Sequence, residues 1–149
     1  MSSMTVQVVF FDLGDTLVTA SREWVTGAQA VLAILRTWGI RLGIISNTGN
    51  LSQMQVLQAL PPHFDLDAFE PELVLFSSEV GIEKPATEFF QLAVARAGEQ
   101  AARCLFCTEN LLDTLVAQQV GMRVARLQKP PASDLQGVID GMVRARMLI

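Results

Sequence analysis

The sequence predicts a doubly wound α/β fold, a three-layer α/β/α arrangement around about five parallel strands, formed by residues 1–149 as one domain. Two observations predict it. Short apolar runs alternate along the chain with longer segments that carry an apolar stripe at helical spacing. The first run, residues 6–11, is continuously apolar, which is typical of strands covered on both faces in a parallel sheet. Successive strand–helix–strand units are right-handed and place helices on both faces of such a sheet.

The same patterns give approximate bounds for each element. The predicted strands cover residues 6–11, 41–45, 73–76, 104–107 and 122–127, and the predicted helices cover residues 22–38, 51–60, 87–97, 111–120 and 133–147. Trp24 and Trp38 lie on the stripe of the first helix, where they pack in the core or against another subunit. Gly39 is the expected stop of that helix. Ser133 and Gln136 form a capping box that begins the last helix.

Composition excludes several classes of protein. Half of the residues are hydrophobic and 17% are charged, which argues against disorder. A net charge of -4 gives no indication of nucleic-acid binding. No apolar stretch is long enough to cross a membrane, and the amino-terminal residues do not resemble a signal peptide, so we expect a cytoplasmic protein. The apolar composition also predicts some exposed apolar surface and a possible homodimer.

Two local motifs have structural explanations. Cys104 and Cys107 form a C-x-x-C sequence, but they lie in an apolar run that is predicted to be a strand, so their side chains point to opposite faces. We interpret them as small apolar core residues rather than a redox pair. His63 is the only histidine, which excludes an ordinary zinc site. Asp65 and Asp67 mimic an acidic pair, but no apolar strand precedes them, and they are predicted to form a turn.

Polar residues follow four of the predicted strands. Asp12 follows the first strand, Ser46 and Asn47 the second, Lys84 comes shortly after the third, and residues 108–113 follow the fourth. Ligands of open parallel sheets bind outside the carboxyl ends of the strands. We therefore expect these residues to form one site, with the Lys84 ammonium within about 4 Å of the Asp12 carboxylate.

Four sequence segments at these positions resemble the motifs of one superfamily. They are FFDLGDTL at 10–17, ISNT at 45–48, EKP at 83–85 and FCTENLLDTLVAQQVGM at 106–122. In this order, over about residues 6–127, they resemble the four motifs of the haloacid dehalogenase superfamily. The resemblance is to its capless, phosphatase-like hydrolases of the IIIA type. It implies a hydrolase that acts on a phosphorylated substrate.

The resemblance also implies roles for individual residues. Asp12 is the nucleophile that forms a covalent aspartyl intermediate, and Lys84 offsets the negative charge of the nucleophile and the phosphoryl group. A magnesium ion neutralises the charges of the nucleophile and the phosphate, which otherwise repel each other as the two anions approach. The implied phosphate-binding groups are the backbone N–H groups of Leu13 and Gly14, together with Ser46, Asn47 and Lys84. The implied metal ligands are Asp12, the Gly14 carbonyl and Asp113.

The sequence departs from the superfamily's pattern at two positions. Phosphatases of the superfamily carry a second aspartate two residues after the nucleophile, where this chain has Gly14, with Asp15 one residue further on. The fourth motif usually begins with Gly-Asp, where this chain has Cys107 and Thr108. Some dehalogenases of the superfamily also lack the second aspartate and the metal, but they carry a cap domain. The segments between Asp12, Ser46 and Lys84 leave no room for such a cap.

Two functions therefore stay open. The first is a magnesium-dependent phosphohydrolase with reduced or specialised activity, and the second is a catalytically silent binding or regulatory module of the same fold. Structural roles are also open for several site residues. Ser46 and Asn47 are suited to cap the following helix, and Lys84 to a solvated loop. With Asn110 as an N-cap, Asp113 falls in the first helical turn, where the helix dipole favours a carboxylate.

Overall fold

The computed structural model of the protein describes residues 5–128, 135–145 and 147–148. Five parallel strands form one sheet in the order β3-β2-β1-β4-β5, which confirms the predicted fold class. The strands are β1 (Val8–Phe11), β2 (Arg41–Ser46), β3 (Val74–Phe76), β4 (Cys104–Thr108) and β5 (Arg123–Arg126). Because β1 lies at the centre, its last residue, Phe11, pairs with Ile44 on one side and Cys107 on the other.

Helices cover both faces of the sheet. They are α1 (Ala28–Thr37), α2 (Gln53–Gln58), α3 (Ser77–Val80), α4 (Thr87–Ala97), α5 (Leu111–Val120) and α6 (Leu135–Arg144). One core lies on the α1 and α6 side and includes Val9 and Phe11, and the other lies on the α4 and α5 side and includes Val8 and Phe10. The alternation of β1 between the two cores explains why its sequence is continuously apolar. The short helix α3 was not predicted.

The first helix begins later than its apolar stripe suggests. The spacing predicted a start near residue 22, but α1 starts at Ala28, after Gly27 in a left-handed conformation with φ 85°. The upstream residues form a hairpin in which Val18 pairs with Trp24 in antiparallel fashion. The hairpin bonds take the place of a first helical turn, so Trp24 lies outside the helix. Its ring stacks on Phe64 at a centroid distance of 4.9 Å and packs against the core.

The other helix ends follow their local signals more closely. Gly39 is left-handed after α1, as expected of a helix stop. Helix α2 is shorter than predicted because Ser52 caps it, in a capping box with Gln55. The predicted capping box of the last helix lies partly outside the described residues, since Ser133 is among those not described.

The cysteines and the acidic pair have the structural roles that the sequence predicted. Cys104 packs in the core on the α4 side and Cys107 in the core on the α1 side, both as free, buried thiols. Burial raises the pKa of Cys104 to about 11 and that of Cys107 to about 12, so neither is a ready nucleophile. Asp65 Oδ1 accepts a hydrogen bond from the Asp67 N–H at 3.0 Å, which forms the predicted turn.

An ion pair fixes the amino end of the sheet, opposite the edge that carries the polar residues. Arg41, at the start of β2, donates from Nε and Nη2 to the two carboxylate oxygens of Glu70 at 2.7 and 2.8 Å. Its Nη1 donates to the Ala97 carbonyl at the end of α4. The hydrogen bond from Arg41 lowers the pKa of Glu70. These contacts tie the segment before β3 and the end of α4 to the central strands.

Two connections begin at the carboxyl edge of the sheet, near Asp12. The hairpin and α1 fill the connection from β1 to β2, while α2 and two single 3-10 turns, Leu66–Ala68 and Pro71–Leu73, fill the connection from β2 to β3. Within the described ranges, no helix combines the length and the apolar character that a bilayer crossing requires.

Candidate active site

Asp12 lies at the carboxyl end of the central strand, where three other polar side chains meet it. Its N–H donates to the Cys107 carbonyl at 3.1 Å, which continues the bonding between β1 and β4 and fixes the backbone. Oδ1 accepts the Leu13 N–H at 2.8 Å, and Oδ2 contacts both the Lys84 ammonium at 3.0 Å and the Thr108 hydroxyl at 3.2 Å. The side chain remains 15% exposed, so a substrate can reach it.

Lys84 makes the ion pair that the sequence predicted. Its side chain is 3% exposed, and its Nζ lies 3.0 Å from Asp12 Oδ2 and 3.5 Å from Asp113 Oδ2. The ammonium also lies 5.4 Å from the centroid of the Phe106 ring, a favourable cation–π distance. A lysine in a solvated loop would show none of these contacts. The arrangement instead places a buried positive charge directly beside the candidate nucleophile.

Asp113 lies in the first turn of α5 and also faces the candidate site. Asn110 caps α5 by accepting the Asp113 N–H at 3.0 Å, which puts Asp113 in the first helical turn. Its carboxylate also faces Lys84 and Asp12. Burial raises the pKa of Asp113, the neighbouring Asp12 raises it further, and Lys84 opposes both effects. Two carboxylates around one ammonium leave the cluster with excess negative charge.

Thr108 has a role at the site that the sequence analysis did not assign to it. It stands where the fourth motif usually has its aspartate, and its side chain is fully buried. The hydroxyl donates to Asp12 Oδ2 and accepts the Asn110 N–H, both at 3.2 Å. Thr108 therefore orients the nucleophile and the start of α5 together. A polar residue at the end of an otherwise apolar strand, beside the strand of Asp12, is the signal that pointed to this role.

The expected phosphate-binding residues divide into two groups. Ser46 ends β2 in a buried position, and its hydroxyl bonds to no other described residue, which leaves it available to a ligand. The Asn47 amide is committed elsewhere, because both of its polar atoms bond to the backbone of Lys84. The sequence prediction that the Asn47 side chain binds phosphate stays a prediction, but both polar atoms of this amide already have a partner. The Leu13 N–H is likewise directed at Asp12 rather than into open space.

Gly14 and Asp15 form the remodelled part of the first motif. Gly14 is exposed, and a Cβ added to it would meet no heavy atom within 4 Å. Asp15 is left-handed, with φ 59°, and its N–H donates to the Val18 carbonyl in the hairpin. Its backbone is thus held by the hairpin and not by the strand of Asp12.

The residues present fit a magnesium ion held mainly by water and substrate. In the parts of the chain that the structure describes, no three histidine, cysteine or acidic side chains cluster as metal ligands. Magnesium, however, commonly uses one or two carboxylates and keeps several waters. Asp12 and Asp113 lie 3.0 and 3.5 Å from the Lys84 ammonium and are the two carboxylates that such an ion would use. Exposed Gly14 follows Asp12 closely in the sequence, and its carbonyl is the third expected ligand.

Comparison with known proteins gives one family and several similar folds. The family model of haloacid dehalogenase-like hydrolases matches residues 25–121, a range that includes Ser46, Lys84 and Asp113 and begins after Asp12. A glyceraldehyde 3-phosphate phosphatase of Methanocaldococcus jannaschii is 28% identical over 103 residues, which are 68% of this chain. The match covers 43% of that enzyme, so the chain spans less than half of its length.

Solved structures agree on the fold. A protein of Corynebacterium glutamicum has a TM-score of 0.66 and 19% identity, with 97% of each chain covered. A haloacid dehalogenase family enzyme of Bacteroides thetaiotaomicron, solved with magnesium and inorganic phosphate, has a TM-score of 0.66 and 16% identity over 84% of this chain and 96% of that one. Since the family match covers well over half of the sequence, the chain belongs to the haloacid dehalogenase-like hydrolases.

Proposed function

We propose that this protein is a capless, magnesium-dependent phosphohydrolase that acts through an aspartyl-phosphate on Asp12. The observation that carries the proposal is the buried Lys84 ammonium 3.0 Å from the Asp12 carboxylate. A nucleophilic carboxylate must approach an anionic phosphoryl group, and a fixed positive charge beside both reduces the electrostatic repulsion between them. The connections that begin at the carboxyl edge hold the hairpin, the single helices α1 and α2 and two 3-10 turns, which supports the absence of a cap.

The chain's own residues account for the first step. Oδ2 of Asp12 is held by Lys84 and Thr108, so Oδ1, which accepts one backbone N–H, is the oxygen that attacks phosphorus. The new bond joins Oδ1 to phosphorus while the bond from phosphorus to the ester oxygen breaks. The departing oxygen needs a proton, and Gly14 supplies none, so good leaving groups are favoured. Ser46 and Lys84 bind the phosphoryl oxygens.

In the second step, water attacks phosphorus and breaks its bond to Oδ1. This restores the Asp12 carboxylate and releases inorganic phosphate. The base that usually activates this water is missing at Gly14, so breakdown of the aspartyl-phosphate is expected to be slow. Magnesium, held by Asp12, Asp113 and the Gly14 carbonyl, would neutralise the phosphoryl charge. Because Thr108 stands in place of an aspartate, we expect magnesium to bind weakly and to be needed at millimolar concentration.

The proposed substrate is a phosphorylated small molecule. The similarity to a glyceraldehyde 3-phosphate phosphatase supports that class, although only 43% of that enzyme is matched. We infer that an aryl phosphate is hydrolysed faster than an alkyl phosphate, because an aryl oxide leaves without a proton donor.

A silent binding module is the second candidate function, and Thr108 favours it. The Thr108 hydroxyl occupies the same Asp12 oxygen as Lys84. The nucleophile therefore has an ion-pair partner and a hydrogen-bond donor without any metal. A protein that only binds a phosphorylated ligand would use Ser46 and Lys84 and would tolerate the loss of the second aspartate.

One experiment separates the two functions. Magnesium with beryllofluoride mimics an aspartyl-phosphate, and the phosphohydrolase is expected to show a higher melting temperature with both than with magnesium alone. Asp12→Asn should abolish the shift, and Asp67→Asn, at an exposed turn residue, should keep it. Absence of any shift, together with no magnesium-dependent hydrolysis of aryl phosphates, would leave the binding module as the better account.

The expected homodimer and the cytoplasmic location stay predictions. Among the described residues, the exposed large apolar side chains lie on or beside α2 and α5; they are Leu51, Met54, Leu57, Leu111, Leu112 and Leu115. The prediction of association between copies of the chain rests on these exposed apolar side chains. Light scattering that gives the mass of a monomer at high protein concentration would argue against the dimer.

A further inference from the structure

The Asn47 side chain holds the backbone of Lys84 with two hydrogen bonds. Oδ1 of Asn47 accepts the Lys84 N–H at 2.8 Å, and Nδ2 donates to the Lys84 carbonyl at 3.0 Å. The two residues are 37 positions apart in the sequence. One amide therefore satisfies both backbone polar groups of the lysine, much as a neighbouring strand would.

This contact matters because Lys84 has no other regular structure to fix it. Residues 81–86 form neither helix nor strand, and the Ala86 N–H bonds only locally, to the Glu83 carbonyl. Asn47, in contrast, directly follows β2, which is bonded to the strand of Asp12. The amide thus connects the lysine loop to the same sheet that positions the nucleophile.

A second contact anchors the segment that leads to this loop. The Thr48 N–H donates to Ser77 Oγ at 2.8 Å, and the Thr48 hydroxyl lies 2.8 Å from Ser78 Oγ. These bonds fix the start of α3 but end several residues before Lys84. Asn47 is accordingly the bridge that sets the position of the lysine itself.

The catalytic rate is expected to be sensitive to the position of the Lys84 ammonium. Its distances to Asp12 and Asp113 are 3.0 and 3.5 Å, and misplacement by about 1 Å can reduce a catalytic rate about 10²-fold. We propose that Asn47 is a positioning residue that holds the Lys84 ammonium beside Asp12 and does not itself bind the phosphoryl group. For its effect on rate, this inference rests on the proposed phosphohydrolase function.

Asn47→Ala tests the inference through catalysis. We expect kcat for an aryl phosphate to fall about 10- to 10²-fold. KM and the inhibition constant of inorganic phosphate should rise by a smaller factor than kcat falls, because Ser46 keeps its contact with the phosphoryl group and only the contact of Lys84 is weakened. Asn50→Ala, at an exposed residue of the same loop, is the matched control and should leave both constants unchanged. A phosphate ligand would show the opposite pattern, with weaker phosphate inhibition and a nearly normal kcat.

A structural readout keeps the inference independent of activity. In crystals of Asn47→Ala, the distance from Lys84 Nζ to Asp12 Oδ2 should exceed 4 Å, whether or not the protein hydrolyses any ester. Because Asn47 is exposed, the variant is expected to fold. If it does not, Asn47→Asp, which keeps the acceptor for the Lys84 N–H, should show a smaller loss of kcat. An unchanged 3.0 Å ion pair in Asn47→Ala would overturn the inference even if the proposed function holds.

Discussion

Replacing Gly14 by aspartate should supply the acid and base that this site lacks. A Cβ at Gly14 would meet no heavy atom within 4 Å, and its φ lies outside the left-handed region. The exposed position should therefore accept the side chain, with a change in the free energy of unfolding of no more than about 0.5 kcal/mol. A positioned general acid contributes about 10²–10⁴-fold to proton transfer. Only the step that needs a proton gains from it.

The expected result is a selective increase in rate. Gly14→Asp should raise kcat for an alkyl phosphate about 10²-fold and that for an aryl phosphate much less, because the aryl oxide leaves unprotonated. The assay is phosphate release from both esters in millimolar magnesium. Gly14→Asn is the matched control, since it has the same size and no ionisable proton. Equal rates for the Asp and Asn variants, both folded, would refute the view that Gly14 limits turnover.

Three further changes test charge and packing elsewhere. Lys84→Met should lower aryl-phosphate turnover about 10²-fold, because the positive charge at Asp12 is lost; normal turnover would contradict its role. Glu70→Gln should cost a few tenths of a kcal/mol in urea unfolding at neutral pH, since the pair with Arg41 is largely exposed. Arg41 lowers the pKa of Glu70, so the difference in the free energy of unfolding between the two proteins should vanish as the pH falls through that lowered pKa. A difference that stays constant with pH would exclude a contribution from the ion pair. Thr16→Val should stabilise the protein by about 1 kcal/mol, because the buried hydroxyl has no partner among the described residues; destabilisation in the same assay would show that a partner exists.

The sequence by itself determined the fold and most of the site. Apolar runs that alternate with segments of helical periodicity predict the parallel sheet. The rule that ligands bind at the carboxyl ends of strands predicts that Asp12, Lys84 and Asp113 lie close together. These predictions succeeded because they depend on which residues are buried, and burial follows largely from the apolar or polar character of each side chain, which the sequence gives directly. The local capping signal of Asn110 succeeded for the same reason, since its bond closes within one turn.

Only the tertiary structure decided how the polar groups pair. Helical spacing placed Trp24 on the first helix, but a hairpin bond to Val18 took that segment out of it. The two hydrogen bonds of the Asn47 amide to the backbone of Lys84, 37 residues away, have no signal in the sequence. Thr108 was taken for a missing ligand and instead donates to Asp12. A hydrogen bond depends on tenths of an ångström and on direction, and between residues distant in sequence that geometry exists only after the sheet has formed.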